Sequence, residues 1–255
     1  SNVYFIMETS KPNGAIQIDT YIAEDGSGMK LIITTLKENI VSTVVKINSD
    51  LKYAFNKDGK LAKITNEVNG QTLSLTYNNS FYNDKLNKIQ DRVGNYIDFI
   101  YYKNNEDIEF TNLYLKQLFR EGHPEGGLMV MTDFQTAGRG QMGNSWFSSK
   151  GENLLFSLLI YPKAVQAKEQ FIISRIASLA VKYTLDQFAD DIRIKWPNDI
   201  YWKERKIAGI LIENDIEGRY MANSVIGIGI NINERSFPSG LPNPVSLWQI
   251  TGSVH

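Results

Sequence analysis

Three short stretches in the second half of the chain hold the residues best suited to chemistry. The first reads Gln135-Thr136-Ala137-Gly138-Arg139-Gly140-Gln141-Met142-Gly143-Asn144-Ser145-Trp146. Its glycines let a backbone approach an anion closely and leave N–H groups free to bind it. Arg139 adds a permanent charge and a forked donor suited to phosphate or carboxylate. The spacing is neither that of the Walker loop nor that of the dinucleotide fingerprint. The second stretch is Lys195-Trp196-Pro197-Asn198-Asp199. An apolar strand over residues 192–196 delivers Lys195 to a Pro-Asn-Asp turn, because proline cannot donate to a ladder and favours turns. A lysine there is aimed at a fixed point, unless it snorkels from a strand edge. The third is Lys206-Ile207-Ala208-Gly209-Ile210-Leu211-Ile212-Glu213, followed by Val225-Ile226-Gly227-Ile228-Gly229-Ile230-Asn231-Ile232-Asn233. Glycines inside strands mark tight packing or the close approach of a ligand. Taken singly, each stretch also has a purely structural explanation. Their order and spacing together carry the functional one.

The elements that must position these residues alternate between helix and strand. Residues 111–120 predict a short helix with Thr111 as N-cap and Tyr114, Leu115, Leu118 and Phe119 on one face. Residues 128–134 and 154–160 predict strands. Residues 170–189 predict the strongest helix, with Phe171, Ile172, Ile176, Leu179, Ala180, Tyr183 and Phe188 facing inward. A strand over 192–196 precedes a hairpin over 200–213 that turns near Lys203-Glu204-Arg205. A second turn near Glu217-Gly218 leads to a strand over 224–232. This order predicts an α+β fold, a mixed β-sheet with helices packed on it.

The first half has a different grammar. Residues 15–103 read as strands throughout, with turns at Asp25-Gly26, Asp58-Gly59 and Asn69-Gly70. Residues 58–79 align without gaps on residues 83–104, an offset of 25. Lys60, Leu61, Lys63, Ile64, Val68 and Tyr77 match Lys85, Leu86, Lys88, Ile89, Val93 and Tyr102. Each unit is about one hairpin, and a hairpin cannot bury its apolar face alone, so such units stack or curl together. The polar stretch 103–107 marks the boundary between an all-β hairpin-repeat region, 1–105, and a second domain, 106–255.

Composition narrows the function classes. With 42% apolar and 22% charged residues the chain can bury a core, and a net charge of −1 disfavours nonspecific nucleic-acid binding. Having no cysteine excludes disulfides, thiolate zinc sites and cysteine nucleophiles, and two histidines cannot build a histidine-rich metal site. No apolar run is long enough for a transmembrane helix, and the opening residues lack the basic and apolar regions of a signal peptide. The first residue is Ser1, consistent with a fragment or a tag scar.

The second half resembles the catalytic domain of biotin–protein ligases over about residues 108–252. The resemblance rests on Gln135, Gly138-Arg139-Gly140, Trp146, Lys195 to Asp199, Lys206 to Leu211, Gly227 to Asn231, Thr111-Asn112, and the later Pro244-Val245-Ser246-Leu247. It implies ATP-dependent ligation of biotin, through biotinyl-5′-adenylate, to a lysine of a biotin carboxyl carrier domain of a biotin-dependent carboxylase. It assigns catalysis to Lys195 and Arg139. Biotin falls to Thr111, Asn112, Gln135, Gly138, Arg139, Gly140, Gln141, Trp146, Lys195 and Gly209, and ATP to Arg139, Gln141, Asn198 and Asn231. Lys206 is expected to matter less than Lys195. Mg²⁺ would accompany ATP, held by phosphates and water, with no protein metal ligands. A cytoplasmic protein is implied, with a homodimer among the assemblies the resemblance allows.

Phe110 stands where the family usually has a hydroxyl, and Gln141 and Asn144 stand where arginine is common. The family's further C-terminal helix and β-domain are not reached by residue 255, which reads as C-terminal truncation. No DNA-binding domain is recognised in the first half, which weakly resembles the tyrosine-rich YD-type hairpin repeats of bacterial surface proteins. Two other readings remain open: a lipoate–protein ligase or octanoyltransferase-like acyl transfer, and a noncatalytic surface β-repeat protein.

Overall fold

The computed structural model describes residues 5–13, 16–23, 30–36, 39–47, 51–56, 60–77, 86–102, 108–122 and 127–255. They belong to two compact units, Ser1–Ile97 and Asp98–His255. The 103–107 stretch and the turns at Asp25-Gly26 and Asp58-Gly59 lie outside the described residues.

The first unit is a meander. Its strands are β1 (Phe5–Asn13), β2 (Ile16–Ala23), β3 (Lys30–Leu36), β4 (Asn39–Ile47), β5 (Leu51–Phe55), β6 (Leu61–Asn66), β7 (Thr72–Tyr77) and β8 (Leu86–Asp91). Each pairs antiparallel with the next. β9 (Tyr96–Tyr102) follows β8 after a short turn. The first copy is therefore the β6–β7 hairpin, and a polar residue at one repeat position builds the turn in both copies. Asn66 Oδ1 accepts from the N–H of Val68 (2.9 Å) and of Asn69 (3.2 Å). One period later, Asp91 Oδ1 accepts from the N–H of Val93 (3.0 Å) and of Asn95 (2.8 Å). Such local side-chain bonds mimic a backbone turn. The Asn95 side chain also donates to Asp91 Oδ2 at 2.7 Å, and this bond, more than the backbone ones, holds the carboxyl below its ordinary range.

The second unit contains α1 (Thr111–Gly122), β10 (Gly127–Thr132), β11 (Leu154–Ile160), α2 (Phe171–Leu185), β12 (Ile192–Lys195), β13 (Asp199–Trp202), β14 (Arg205–Glu217), β15 (Tyr220–Ile230) and α3 (Leu247–Thr251). Its strand order is β10-β11-β15-β14-β13-β12. The ladders are antiparallel, with parallel bridges Ile108–Gln135 and Lys206–Pro244 that make the architecture mixed. Strand alternation divides the sheet into two faces. Ile210, Ile226 and Ile230 join Ile173, Ala177, Val181 and Leu185 of α2 in the larger core. On the opposite face Leu115 of α1 packs with Leu128, Val130, Leu159 and Val225. α3 begins with a capping box, in which the Ser246 hydroxyl accepts from the Gln249 N–H (3.1 Å) and the Gln249 side chain accepts from the Ser246 N–H (3.2 Å).

α2 turns the other way from the expectation. Phe171, Ile172, Ile176, Leu179, Ala180, Tyr183 and Phe188 are exposed, and Ile173, Ala177, Ser178, Val181 and Leu185 are buried. The helix is apolar around most of its circumference, so its period selects no face. Seating the side with Ala177 and Ser178 lets the helix axis come close to the sheet. No helix among the described residues is long and apolar enough to cross a membrane.

Candidate functional site

The site is a trough cleared by glycines on the α1 face of the sheet. Gly209 on β14 pairs with Gly229 on β15, and Leu211 pairs with Gly227. Across the next ladder Gly227 meets Ser157 and Gly229 meets Leu155. In Gly227-Ile228-Gly229-Ile230 the glycines face the trough while the isoleucines serve the other side. The vacated space is occupied closely. A Cβ at Gly209 would lie 2.8 Å from the Trp146 ring, and one at Gly229 would lie 2.7 Å from Trp146 Nε1. A Cβ at Gly227 would overlap the Asn112 side chain.

Trp146 is delivered by the glycine loop. Gly140 N–H donates to Asn144 O (2.6 Å) and Trp146 N–H to Gly138 O (2.9 Å), folding the loop on itself around the Arg139–Ser145 bridge. A Cβ at Gly138 would lie 2.7 Å from Trp146 O, so this position must stay bare. Arg139 stands at the mouth. Its Nη2 pairs with Glu109 Oε1 at 3.1 Å, and its guanidinium lies 5.8 Å from the centre of the Phe110 ring. Phe110, in place of the hydroxyl usual in the family, is a buried apolar wall beneath that cation.

At the opposite end the lining is polar and uncharged. Thr111 opens α1, but its hydroxyl does not cap the helix. Its N–H and hydroxyl lie 2.8 and 3.0 Å from Gln135 Oε1. The helix entry falls one residue earlier, where Phe110 O accepts from the Tyr114 N–H. Beneath Thr111, Ser157 Oγ lies 2.7 Å from Thr111 Oγ1 and 2.5 Å from Asn112 Oδ1. Asn112 Nδ2 donates to Glu213 Oε2 at 2.8 Å, and Lys116 Nζ to Glu213 Oε1 at 2.6 Å. Burial pushes the Glu213 carboxyl up, but hydrogen bonds from Lys116 and Asn112 outweigh it and leave the group below its ordinary range.

Thr111, Gln135, Arg139, Gly140, Gln141, Trp146, Asn198 and Gly209 thus share one cleft. Gly138 backs the loop and Asn112 lies under the floor. Asn198 donates through Nδ2 to Ile210 O, which ties the Pro-Asn-Asp turn to β14. Lys195 is placed elsewhere. It ends β12, the outer strand of the sheet, and is exposed there. Its ammonium lies 3.2 Å from the Tyr201 hydroxyl, a contact that raises its pKa. The lysine that reaches the cleft is Lys206, on an interior strand, 2.7 Å from Asp199 Oδ1 and 5.7 Å from the Trp146 ring centre.

A second recess adjoins the first, and Lys206 and Trp146 line both. Asn231 lies in it, buried, with Nδ2 donating to Val245 O and Oδ1 without a partner. Ser157 and Lys116 carry no signal of their own in the sequence, Glu213 only closes the third stretch, and Lys206 was ranked below Lys195. The strand alternation that places Gly209 and Gly227 in the trough also points Leu211 and Glu213 to that face, and this was the available signal.

Residues 105–231, within the second unit, match the Biotin/lipoate A/B protein ligase family. Within the family the similarity runs to biotin ligases. The bifunctional ligase/repressor BirA of Escherichia coli is 37% identical over 138 residues, 53% of this chain and 42% of that protein. The biotin–[acetyl-CoA-carboxylase] ligase of Paracoccus denitrificans is 32% identical over 136 residues, 50% of this chain and 55% of its own. The structure of the Aquifex aeolicus biotin protein ligase in complex with biotin and ATP superposes with a TM-score of 0.51 at 28% identity, covering 62% of each chain. The matched segment spans about half the length of these curated relatives.

Proposed function

We propose that the second unit activates biotin with ATP to biotinyl-5′-adenylate and passes the biotinyl group to a lysine of a biotin carboxyl carrier domain. The observation that carries this is the meeting of two recesses at Lys206 and Trp146. One is an apolar trough with an uncharged polar end at Thr111 and Gln135, suited to a compact ligand with a ureido head. The other, lined by Asn231 and Phe237 beside Trp146, suits a flat ring such as adenine. The relatives' names, and the biotin and ATP of the Aquifex aeolicus complex, support the same assignment.

In the first step a biotin carboxylate oxygen attacks the α-phosphorus, and the bond from that phosphorus to pyrophosphate breaks. Two anions must approach, so fixed cations at the junction lower the barrier more than they favour the separated reactants. Lys206 takes this role and Arg139 closes the mouth. The incoming anion competes with Asp199 for Lys206 and with Glu109 for Arg139. In the second step the carrier amine attacks the acyl carbon, the bond to AMP breaks, and the amine loses a proton to solvent. Gln141 and the Gly138 and Gly140 backbone would contact carboxylate and phosphate, and Asn198 the nucleotide side. Mg²⁺ would accompany the ATP, carried on the phosphates and water. Dependence on ATP assigns the reaction to the cytoplasm.

Biotin-dependent pyrophosphate release in single turnover tests the reading. Lys206→Ala should slow it by about 10²-fold, roughly 2.7 kcal/mol of barrier, and Lys195→Ala should stay within a few-fold. Release driven by lipoic acid instead of biotin, or a wild-type rate in Lys206→Ala, would overturn it.

A further inference from the structure

We propose that Glu213, paired with Lys116, is a positioning residue: it sets the direction of the hydrogen-bond chain Asn112–Ser157–Thr111 and thereby keeps the Thr111 hydroxyl an acceptor toward the ligand. This rests on the reading of the trough as a biotin site.

The Glu213 carboxylate accepts only. Asn112 therefore turns its NH₂ to Glu213 Oε2 (2.8 Å), with Leu211 O also on that side at 3.4 Å. Its Oδ1 is left facing Ser157 Oγ at 2.5 Å. Ser157 has one proton and two oxygens within reach. Asn112 Oδ1 cannot donate, so Ser157 must donate to it. The 2.7 Å contact between Ser157 and Thr111 is then made with the Thr111 proton. The reverse order would leave two acceptors facing each other at 2.5 Å in a site where Asn112 and Ser157 are completely buried, and buried unmatched polar atoms are costly. In the order set by Glu213 the unmatched pair is Thr111 Oγ1 and Gln135 Oε1 at 3.0 Å, at the edge of the cleft. A ligand N–H placed against both oxygens resolves it. A ureido group carries such an N–H, so the distant carboxylate selects for a donor at this point.

Glu213→Gln removes the constraint with little change of shape. The amide at 213 can donate to Asn112, letting its side chain turn over. The order along the chain then reverses, and the Thr111 proton is committed to Gln135 in competition with the ligand. Titration calorimetry with biotin on the full chain reads the effect. Biotin affinity should fall about tenfold in Glu213→Gln, while KM for ATP and kcat at saturating biotin move by less than threefold. In a Thr111→Val background Glu213→Gln should cost nothing further, a non-additivity that a merely structural role would not produce. If Glu213→Gln does not fold, Ser157→Ala breaks the same chain and should show the same split. Wild-type affinity in Glu213→Gln, or an additive loss in the double variant, would overturn the inference while leaving the biotin site intact. Failure of the wild-type protein to bind biotin would overturn the site reading and the inference with it.

Discussion

Gly227→Ala should be the most damaging single methyl in the trough, because the residue it strikes cannot move. The added Cβ would overlap Asn112 Oδ1 and lie 3.0 Å from its Cγ. Asn112 is fully buried and held from both sides by Glu213 and Ser157. Relief means either shifting β15 or breaking both hydrogen bonds. Overpacking of this kind costs about 1–3 kcal/mol, and each net hydrogen bond adds about 0.5–1.5 kcal/mol. With two bonds the sum is about 2–6 kcal/mol, and at about 2–4 °C per kcal/mol for a unit of this size the melting point should fall by about 4–24 °C. Gly229→Ala is the internal comparison. Its methyl meets the Trp146 indole, which is only partly buried and whose Nε1 has no hydrogen bond to lose. The ring can slide, so the loss should be smaller. Tryptophan fluorescence is the natural probe, since Trp146, Trp196, Trp202 and Trp248 all lie in the second unit. A Gly227→Ala melt within about 2 °C of wild type, or a greater loss in Gly229→Ala, would refute the reasoning.

Arg139→Ala should weaken retention of a nonhydrolysable biotinyl-adenylate by about 10- to 100-fold, as expected for one charge-assisted contact, measured by calorimetry. Unchanged affinity would remove Arg139 from the anion site. Asp91 has its folded pKa depressed, so its turn contributes stability that is present above the unfolded value and lost as pH falls below 3.8. Asp91→Asn keeps an acceptor, as Asn66 does one repeat earlier, and should remove that acid-side loss from urea midpoints of the first unit. Ser246→Ala removes the capping box of α3 and should lower stability by about 0.5–2 kcal/mol in urea titration.

Where local chemistry decides a feature, the chain could be read directly. β11 spans Leu154–Ile160 as expected, and the Gly-Ile alternation of β15 places glycines and isoleucines on opposite faces because a strand has a period of two. The glycine loop, Gln135 and Thr111 converge as their motifs suggest. The failures share a cause: partners distant in sequence made the decision. α2 has two apolar sides, and only the sheet chooses between them. Lys195 ends its apolar strand as read, but its exposure follows from β12 being the outer strand, and whether a strand is central or peripheral cannot be read from its own residues. Thr111 looked like a cap, but its hydroxyl lies against Ser157 and Gln135 and caps no backbone N–H.

The position of β15 has a consequence for synthesis. Of the described strands it is made last, yet it sits between β11 and β14. Until it emerges from the ribosome, the nascent domain exposes Leu154–Ile160 as an unpaired apolar edge, and β14 has no partner on that side. Edges of this kind recruit other chains. Cleft and fold are therefore completed together by one late insertion, and a ribosome stalled before residue 220 would display an adhesive half-sheet with no trough. Chaperone occupancy on the nascent chain should peak in that interval and fall once β15 is seated.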